Sequence, residues 1–186
     1  MNKGNPARAL FSGYTQVNEA TAFLFFEKDG ITQKLIHSLK YKGNKVLAEY
    51  LGRTAALELK NYGFYASADT IIPIPLHAKK EKQRGYNQSE LIAKGISSIY
   101  GCKMENKLLK RISDTKSQTR KSVYDRHVNV EEVFVITDAE YLYGKHILLV
   151  DDVITTGATV ASCIEALLSV PEIKISIFSL SIAREY

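Results

Sequence analysis

The sequence has no tryptophan, and across 186 residues it has only two cysteines, two methionines and four prolines. Cys102 and Cys163 are far apart and form no C-x-x-C pair. That excludes a disulfide framework and gives no basis for a zinc site. Cys163 falls in an apolar stretch and reads as a small core residue. No apolar run approaches the ~20 residues that span a bilayer, so no membrane contact is expected. The N-terminus carries no charged-then-apolar secretion signal, and a cytoplasmic protein is expected. Two glycine-rich signatures are missing as well. Without G-x-x-x-x-G-K-[ST] there is no P-loop, and without G-x-G-x-x-G there is no Rossmann dinucleotide turn. No internal repeat or low-complexity tract occurs.

What is present is an ordinary globular balance, 45% hydrophobic and 24% charged. The length allows one domain with a full core. The formal charge is +5. Two readings of it stay open: a mildly basic protein, or an attraction for phosphate-bearing ligands.

Apolar spacing gives the coarse organisation. Residues up to Asn18 carry Gly4, Pro6 and Gly13 and read as an extended lead-in; residues 1–21 are set apart from a single domain at 22–186. Ala22 to Phe26 reads as a strand. Ile31, Leu35, Ile36 and Leu39 have helical spacing, and a second helix follows from Lys45 to Asn61 with Val46, Leu47, Tyr50, Leu51 and Leu57 as its buried side. Thr70 to Pro75 (TIIPIP) is β-branched and holds two prolines, which fits a strand near its end or at an edge. Leu76 to Gln88 reads as a polar loop. Ser89 is the expected N-cap of a helix that Gly101 closes. Lys103 to Asn129 is polar and basic without apolar period, the pattern of a long loop. Val133 to Ile136, His146 to Val150 and Ile173 to Leu180 read as strands, with a helix from Thr156 to Val170 between the last two. Strands alternating with helices predict an α/β domain with a mostly parallel twisted sheet flanked by helices.

One segment carries the chemistry. Ile147 to Thr159 reads ILLVDDVITTGAT. An apolar strand meets two adjacent carboxylates, Asp151 and Asp152. Thr155, Thr156 and Gly157 form a short loop that leads into a helix. Ligands of open α/β sheets collect at the carboxyl ends of strands. Paired carboxylates accept hydrogen bonds from vicinal hydroxyls, such as those of a ribose. A glycine turn lets the backbone approach closely, and amides at a helix start favour an anion. The threonine hydroxyls add neutral donors. The ligand that suits this arrangement has a phosphate a short distance from a diol.

VDDVITTGAT resembles the loop that binds phosphoribosyl pyrophosphate (PRPP) in type I phosphoribosyltransferases. LIHSLKYKG (Leu35 to Gly43), IPIPLH (Ile72 to His77), RGYNQSELIAKGI (Arg84 to Ile96), Gln118-Thr119 and RHVNV ending at Val130 are similar to the ComF/GntX group of that family. Members of the group often begin with a cysteine-rich, zinc-ribbon-like segment, which these residues do not contain. The resemblance implies a type I phosphoribosyltransferase-like fold with a small N-terminal hood-like part. It implies that Asp151 and Asp152 hold the ribose hydroxyls and that Thr155, Thr156, Gly157, Ala158 and Thr159 cradle the 5′-phosphate. It places Leu76, His77, Lys80 and Arg84 near the pyrophosphate. It makes the stretch at about 111–128, with Lys116, Gln118 and Arg126, a flexible loop that closes over the site. Magnesium (Mg2+) would bridge diol and pyrophosphate, with Asp151 and Asp152 as its possible protein contacts.

The residues themselves add detail. Lys79, Lys80, Lys82 and Arg84 crowd the loop after TIIPIP, and a pyrophosphate needs cations. Arg84 is the preferred contact because Gly85 follows it. His77 reads as a loop residue rather than a general base. Lys40, Tyr41 and Lys42 either touch ligand phosphate or favour the negative end of a helix dipole. The excess of Lys and Arg from Lys107 to Arg126 suits a phosphate-capturing lid or a nucleic-acid backbone; Tyr124 is its only aromatic, which is thin for base stacking. The expected activity is Mg-assisted transfer of phosphoribosyl from PRPP to an unknown nitrogen acceptor, with release of pyrophosphate. The alternative is a non-catalytic PRPP- or nucleotide-binding accessory protein linked to the DNA-uptake machinery.

Overall fold

The computed structural model describes residues 5–112 and 133–183. In chain order the elements are α1 (Pro6–Leu10), β1 (Val17–Phe26), α2 (Ile31–Tyr41), α3 (Lys45–Asn61), β2 (Thr70–Pro73), α4 (Ala78–Arg84), α5 (Gln88–Tyr100), β3 (Lys103–Met104), β4 (Leu109–Ile112), β5 (Val133–Ile136), α6 (Ala139–Leu142), β6 (His146–Ile154), α7 (Ala158–Leu167) and β7 (Lys174–Ala183).

Five strands form one sheet in the order β1-β7-β6-β2-β3. Every neighbouring pair in it is parallel. Parallel neighbours require crossover connections, and these put helices on the faces. β4 and β5 pair antiparallel as a separate ribbon from the middle of the chain. The protein is thus an α/β domain built on a mostly parallel sheet flanked by helices.

β6 shows why the sheet is covered on both sides. Its residues alternate faces. Ile147 and Leu149 join one core with Phe11, Val160, Ile164 and Leu167. Leu148 and Val150 join the other with Leu39, Ala56, Ile92 and Ile96. At ~1.5–3 kcal/mol for each large apolar side chain buried, these two cores fix where β6 ends and hence where its carboxylates stand.

The described part of the expected lead-in is a core element. Asn5 caps α1 by accepting from the Ala7 and Arg8 amides, and Pro6 occupies the first turn, where no amide is needed. Ala7 and Phe11 are then fully buried, and β1 begins at Val17 rather than Ala22.

α3 buries only part of the side expected: Leu47 and Leu51 pack half-buried against the core, but the other three do not. Val46, Tyr50 and Leu57 are 81%, 63% and 50% exposed, while Ala48, Gly52, Ala55 and Ala56 face inward. The cause is a close helix crossing. A Cβ on Gly52 would lie 2.2 Å from the Ile92 carbonyl oxygen, and one on Gly95 would lie 2.2 Å from that of Glu49. Backbone meets backbone there, so only small residues fit. Ile31, expected on the buried side of α2, is likewise exposed. The expected polar loop at 76–88 contains α4. Among the described residues, no helix is long and apolar enough to cross a membrane.

Candidate functional site

The site begins where the sheet ends unevenly. β2 pairs with β6 from Thr70↔Ile147 to Pro73↔Val150. The last rung is the Ile74 amide donating to the Val150 carbonyl at 2.9 Å. Pro73 and Pro75 have no N–H to give on the opposite edge of β2, the one that meets β3 only at Thr70 and Ile71. β6 continues to Ile154 on the β7 side alone. Asp151 and Asp152 therefore lie within β6, not after it, but beyond the last β2 rung, at the carboxyl end of the sheet.

Ser89, Lys40 and a backbone amide hold the acid pair. Asp151 Oδ1 accepts from Ser89 Oγ at 3.2 Å and from the Asp152 amide at 2.9 Å. Asp152 Oδ2 stands 3.1 Å from Lys40 Nζ at the end of α2, and both side chains are largely shielded from water, 14% and 24% exposed. Burial pushes the Asp151 carboxyl up to about 7, and the neighbouring Asp152 charge adds to the rise; Lys40 and Ser89 act against it. A carboxylate pair with one member so raised is what two like charges in a half-dry crevice produce.

The RGYNQS segment is a clamp. Arg84 ends α4, and Gly85 stops the helix at φ 76°. Tyr86 donates its hydroxyl to the Leu39 carbonyl, and Gln88 Nε2 donates to the same carbonyl at 3.4 Å. Asn87 donates to the Ile74 carbonyl at 3.0 Å and caps α5 by accepting from the Ser89 amide at 3.1 Å. Gln88 Oε1 accepts from Arg84 Nη1 at 2.9 Å, and the Arg84 guanidinium lies 5.4 Å from the centre of the Tyr41 ring. The segment thus ties the end of α2, the end of β2, the guanidinium and the acid pair together. Asn87, not Ser89, is the N-cap; Ser89 is released to bond Asp151.

A cavity of about 270 Å³ opens on these groups. Asp151, Asp152, Thr155, Thr159, Leu76, Lys80 and Arg84 line it, joined by Lys40, Gln88, Ser89 and Arg111. A smaller adjoining cavity of about 30 Å³ is lined by Val153 to Val160, so Thr156, Gly157 and Ala158 face it. His77 lines neither; its ring accepts from the Lys79 amide at 3.2 Å and caps α4. Lys116, Gln118 and Arg126 lie outside the described residues.

Gly157 is the N-cap of α7 at φ 78° and offers the helix no side-chain cap. The Ala158 amide finds only a long bond of 3.4 Å to Thr156 Oγ1. A first turn so weakly capped by side chains favours an anion. The absence of a Cβ at Gly157 serves the protein as well as any ligand: a Cβ there would meet Leu10 Cδ2 at 2.6 Å and Phe11 Cε1 at 3.3 Å. α1 backs the turn from behind. Sequence reasoning missed this buttress, and also Ser89 and Gln88 as site residues. For Ser89 and Gln88 a signal existed, since a polar RGYNQS run that becomes buried must bond to something.

The phosphoribosyl transferase domain family matches residues 87–179, half of the chain. The DNA utilization protein YhgH of Escherichia coli O157:H7 is 33% identical over 138 residues, 72% of this chain and 60% of that protein. Competence protein F of Haemophilus influenzae is 37% identical over 93 residues, 49% of this chain and 40% of that protein. The chain therefore spans only about 60% of the length of the YhgH relative. Among solved structures, a hypothetical protein from Neisseria gonorrhoeae with bound ppGpp aligns over 90% of this chain and 73% of its own, at 14% identity and a TM-score of 0.45. The matched family region begins at Asn87 of the clamp and runs through the acid pair and the Thr-Gly turn into β7, and the chain belongs to the phosphoribosyl transferase domain family.

Proposed function

We propose that the chain binds PRPP in this crevice and, with magnesium, transfers its phosphoribosyl group to a nitrogen acceptor, releasing pyrophosphate. The observation that carries the reading is the order of groups along two adjoining cavities. A diol-accepting acid pair sits between a weakly capped helix start and a bank of cations, Lys80, Arg84 and Lys40. PRPP presents a 5′-phosphate, a 2,3-diol and a pyrophosphate in that order.

In this reading the turn from Thr155 to Thr159 takes the 5′-phosphate through amides and hydroxyls. Asp151 and Asp152 accept the ribose hydroxyls and offset the positive charge that grows on the sugar as the anomeric bond breaks. Arg84, held by Gln88, and Lys80 receive the pyrophosphate. Magnesium, when bound, neutralises pyrophosphate charge and makes it a better leaving group. The donor set fits that ion. Asp151 and Asp152 offer hard oxygens, yet the described residues hold no cluster of three or more His, Cys, Asp or Glu. Magnesium characteristically uses one or two carboxylates plus substrate phosphates.

The test is calorimetric titration of PRPP with magnesium, followed by pyrophosphate release with a panel of bases and amines. Asp152→Asn is expected to weaken PRPP by about 1.5–3 kcal/mol, the scale of a charge-assisted hydrogen bond. Unchanged affinity would move the diol contact elsewhere. A second reading is a PRPP- or nucleotide-binding accessory protein that performs no transfer and serves DNA uptake. The names of the relatives, DNA utilization protein and competence protein, favour it. Tight PRPP binding with no turnover across the panel would select it; sustained turnover with a defined acceptor would eliminate it.

A further inference from the structure

The Lys40 ammonium is bonded directly to the acid pair. We propose that Lys40 is a positioning residue that does at Asp152 what a divalent ion would otherwise do, so that the acid pair receives a ribose diol without magnesium. The inference rests on the reading above, that a ribose phosphate is the ligand.

Three observations carry it. The first is geometry. Nζ lies 3.1 Å from Asp152 Oδ2, and both side chains are largely out of water. Removing one member of such a shielded pair leaves an uncompensated charge, which is costly. Two carboxylates would then face one another with only Ser89 and a backbone amide as donors. The second is that Lys40 is placed from behind. The carbonyl of its neighbour Leu39 accepts from both Tyr86 and Gln88, all three residues being buried. The end of α2 is therefore fixed against the clamp, and the ammonium is delivered by structure rather than by a wandering surface chain. The third is where else Lys40 reaches. It also lines a second cleft of about 210 Å³ with Tyr41, Gly43, Gln83 and Arg84. A lysine on the wall between two clefts can stay on the carboxylate when a diol arrives, or turn to phosphate oxygens when a metal takes its place.

An ammonium and a divalent ion compete for the same carboxylate oxygens. The consequence is specific. Ribose 5-phosphate has the phosphate and the diol but no pyrophosphate, so it reports the acid pair alone. Wild-type protein is expected to bind it equally in magnesium and in EDTA. Lys40→Met keeps the aliphatic stem and removes the charge. It should lose about tenfold in ribose 5-phosphate affinity in EDTA, the scale of one hydrogen-bonded charge. Magnesium should restore part of that loss. The same variant should bind Mn2+ alone more tightly than wild type, read by the loss of the free ion's paramagnetic resonance signal. Lys40→Arg should behave as wild type in both assays, and Lys40→Gln should follow Lys40→Met.

Equal Mn2+ affinity in wild type and Lys40→Met, together with unchanged ribose 5-phosphate binding in EDTA, would overturn the proposal. Wild-type binding of ribose 5-phosphate that already requires magnesium would overturn it too. Failure of the wild type to bind either ribose 5-phosphate or PRPP with magnesium would instead sink the ligand reading, and the Mn2+ comparison would then decide Lys40 on its own.

Discussion

Asp151→Asn is expected to make the protein more stable and less able to bind. The change is nearly isosteric. An asparagine Oδ1 keeps both donors that Asp151 Oδ1 now has, Ser89 Oγ at 3.2 Å and the Asp152 amide at 2.9 Å. What it removes is a titration. In the folded protein the Asp151 carboxyl is raised from 3.8 to about 7, first by burial and then by Asp152. A folded value above the unfolded one means the folded state holds an extra proton between the two. The associated stability is complete below pH ~4 and is lost as pH rises through ~7. Roughly three units at 1.36 kcal/mol each set a ceiling of about 4 kcal/mol. Water at the cavity mouth and coupling with Asp152 and Lys40 reduce it, and a gain of ~1–2 kcal/mol at pH 8 is the working figure. The assay is urea unfolding in EDTA at pH 4.5 and pH 8, followed by far-ultraviolet circular dichroism because the chain has no tryptophan. The variant should gain at pH 8 and gain little at pH 4.5, while its ribose 5-phosphate affinity falls. An equal gain at both pH values, or none at either, would refute the reasoning.

Two further substitutions test the scaffold. Gly95→Ala would set a Cβ 2.2 Å from the Glu49 carbonyl oxygen and 2.7 Å from the Arg53 amide nitrogen. Neither atom can rotate away, so an overpacking loss of ~2–3 kcal/mol should outweigh the ~1 kcal/mol that alanine gains in a helix; a thermal midpoint at or above wild type would show that α3 and α5 are less tightly opposed than described. Gly157→Val forces a β-branched residue to φ 78° and into Leu10. Phosphate affinity should fall, and Leu10→Ala in the same chain should recover only the steric part; normal affinity in the single variant would misplace the phosphate turn.

Much of the frame was legible because β6, α7 and β7 carry dense apolar period, and the acid pair and its turn are contiguous. What escaped notice has physical reasons. The buried side of α3 is Ala48, Gly52, Ala55 and Ala56, whose small side chains give a weak apolar signal, while the larger Val46 and Tyr50 drew the eye outward. α1 has a readable start in Asn5-Pro6 but only five helical residues, too few for any period to show. At the site, Ser89 meets Asp151 across 62 positions of sequence and Lys40 meets Asp152 from a different helix. No local pattern encodes such distances. The clamp was visible as a string, RGYNQS, yet its meaning lay in the carbonyls of Leu39 and Ile74 that it seeks, and a string does not name its acceptors.

The lengths of the strands have a consequence of their own. β2 has four residues where β6 has nine and β7 has ten. The crevice is made by subtraction: a neighbour stops early, and the longer strand's next residues are left facing open space. Two more rungs on β2 would fill the space with backbone and silence both carboxylates without changing either. The depth of the site is thus set by where β2 stops, at residues that carry no charge. A lineage could deepen or close such a crevice by shortening or lengthening β2, long before it altered an aspartate.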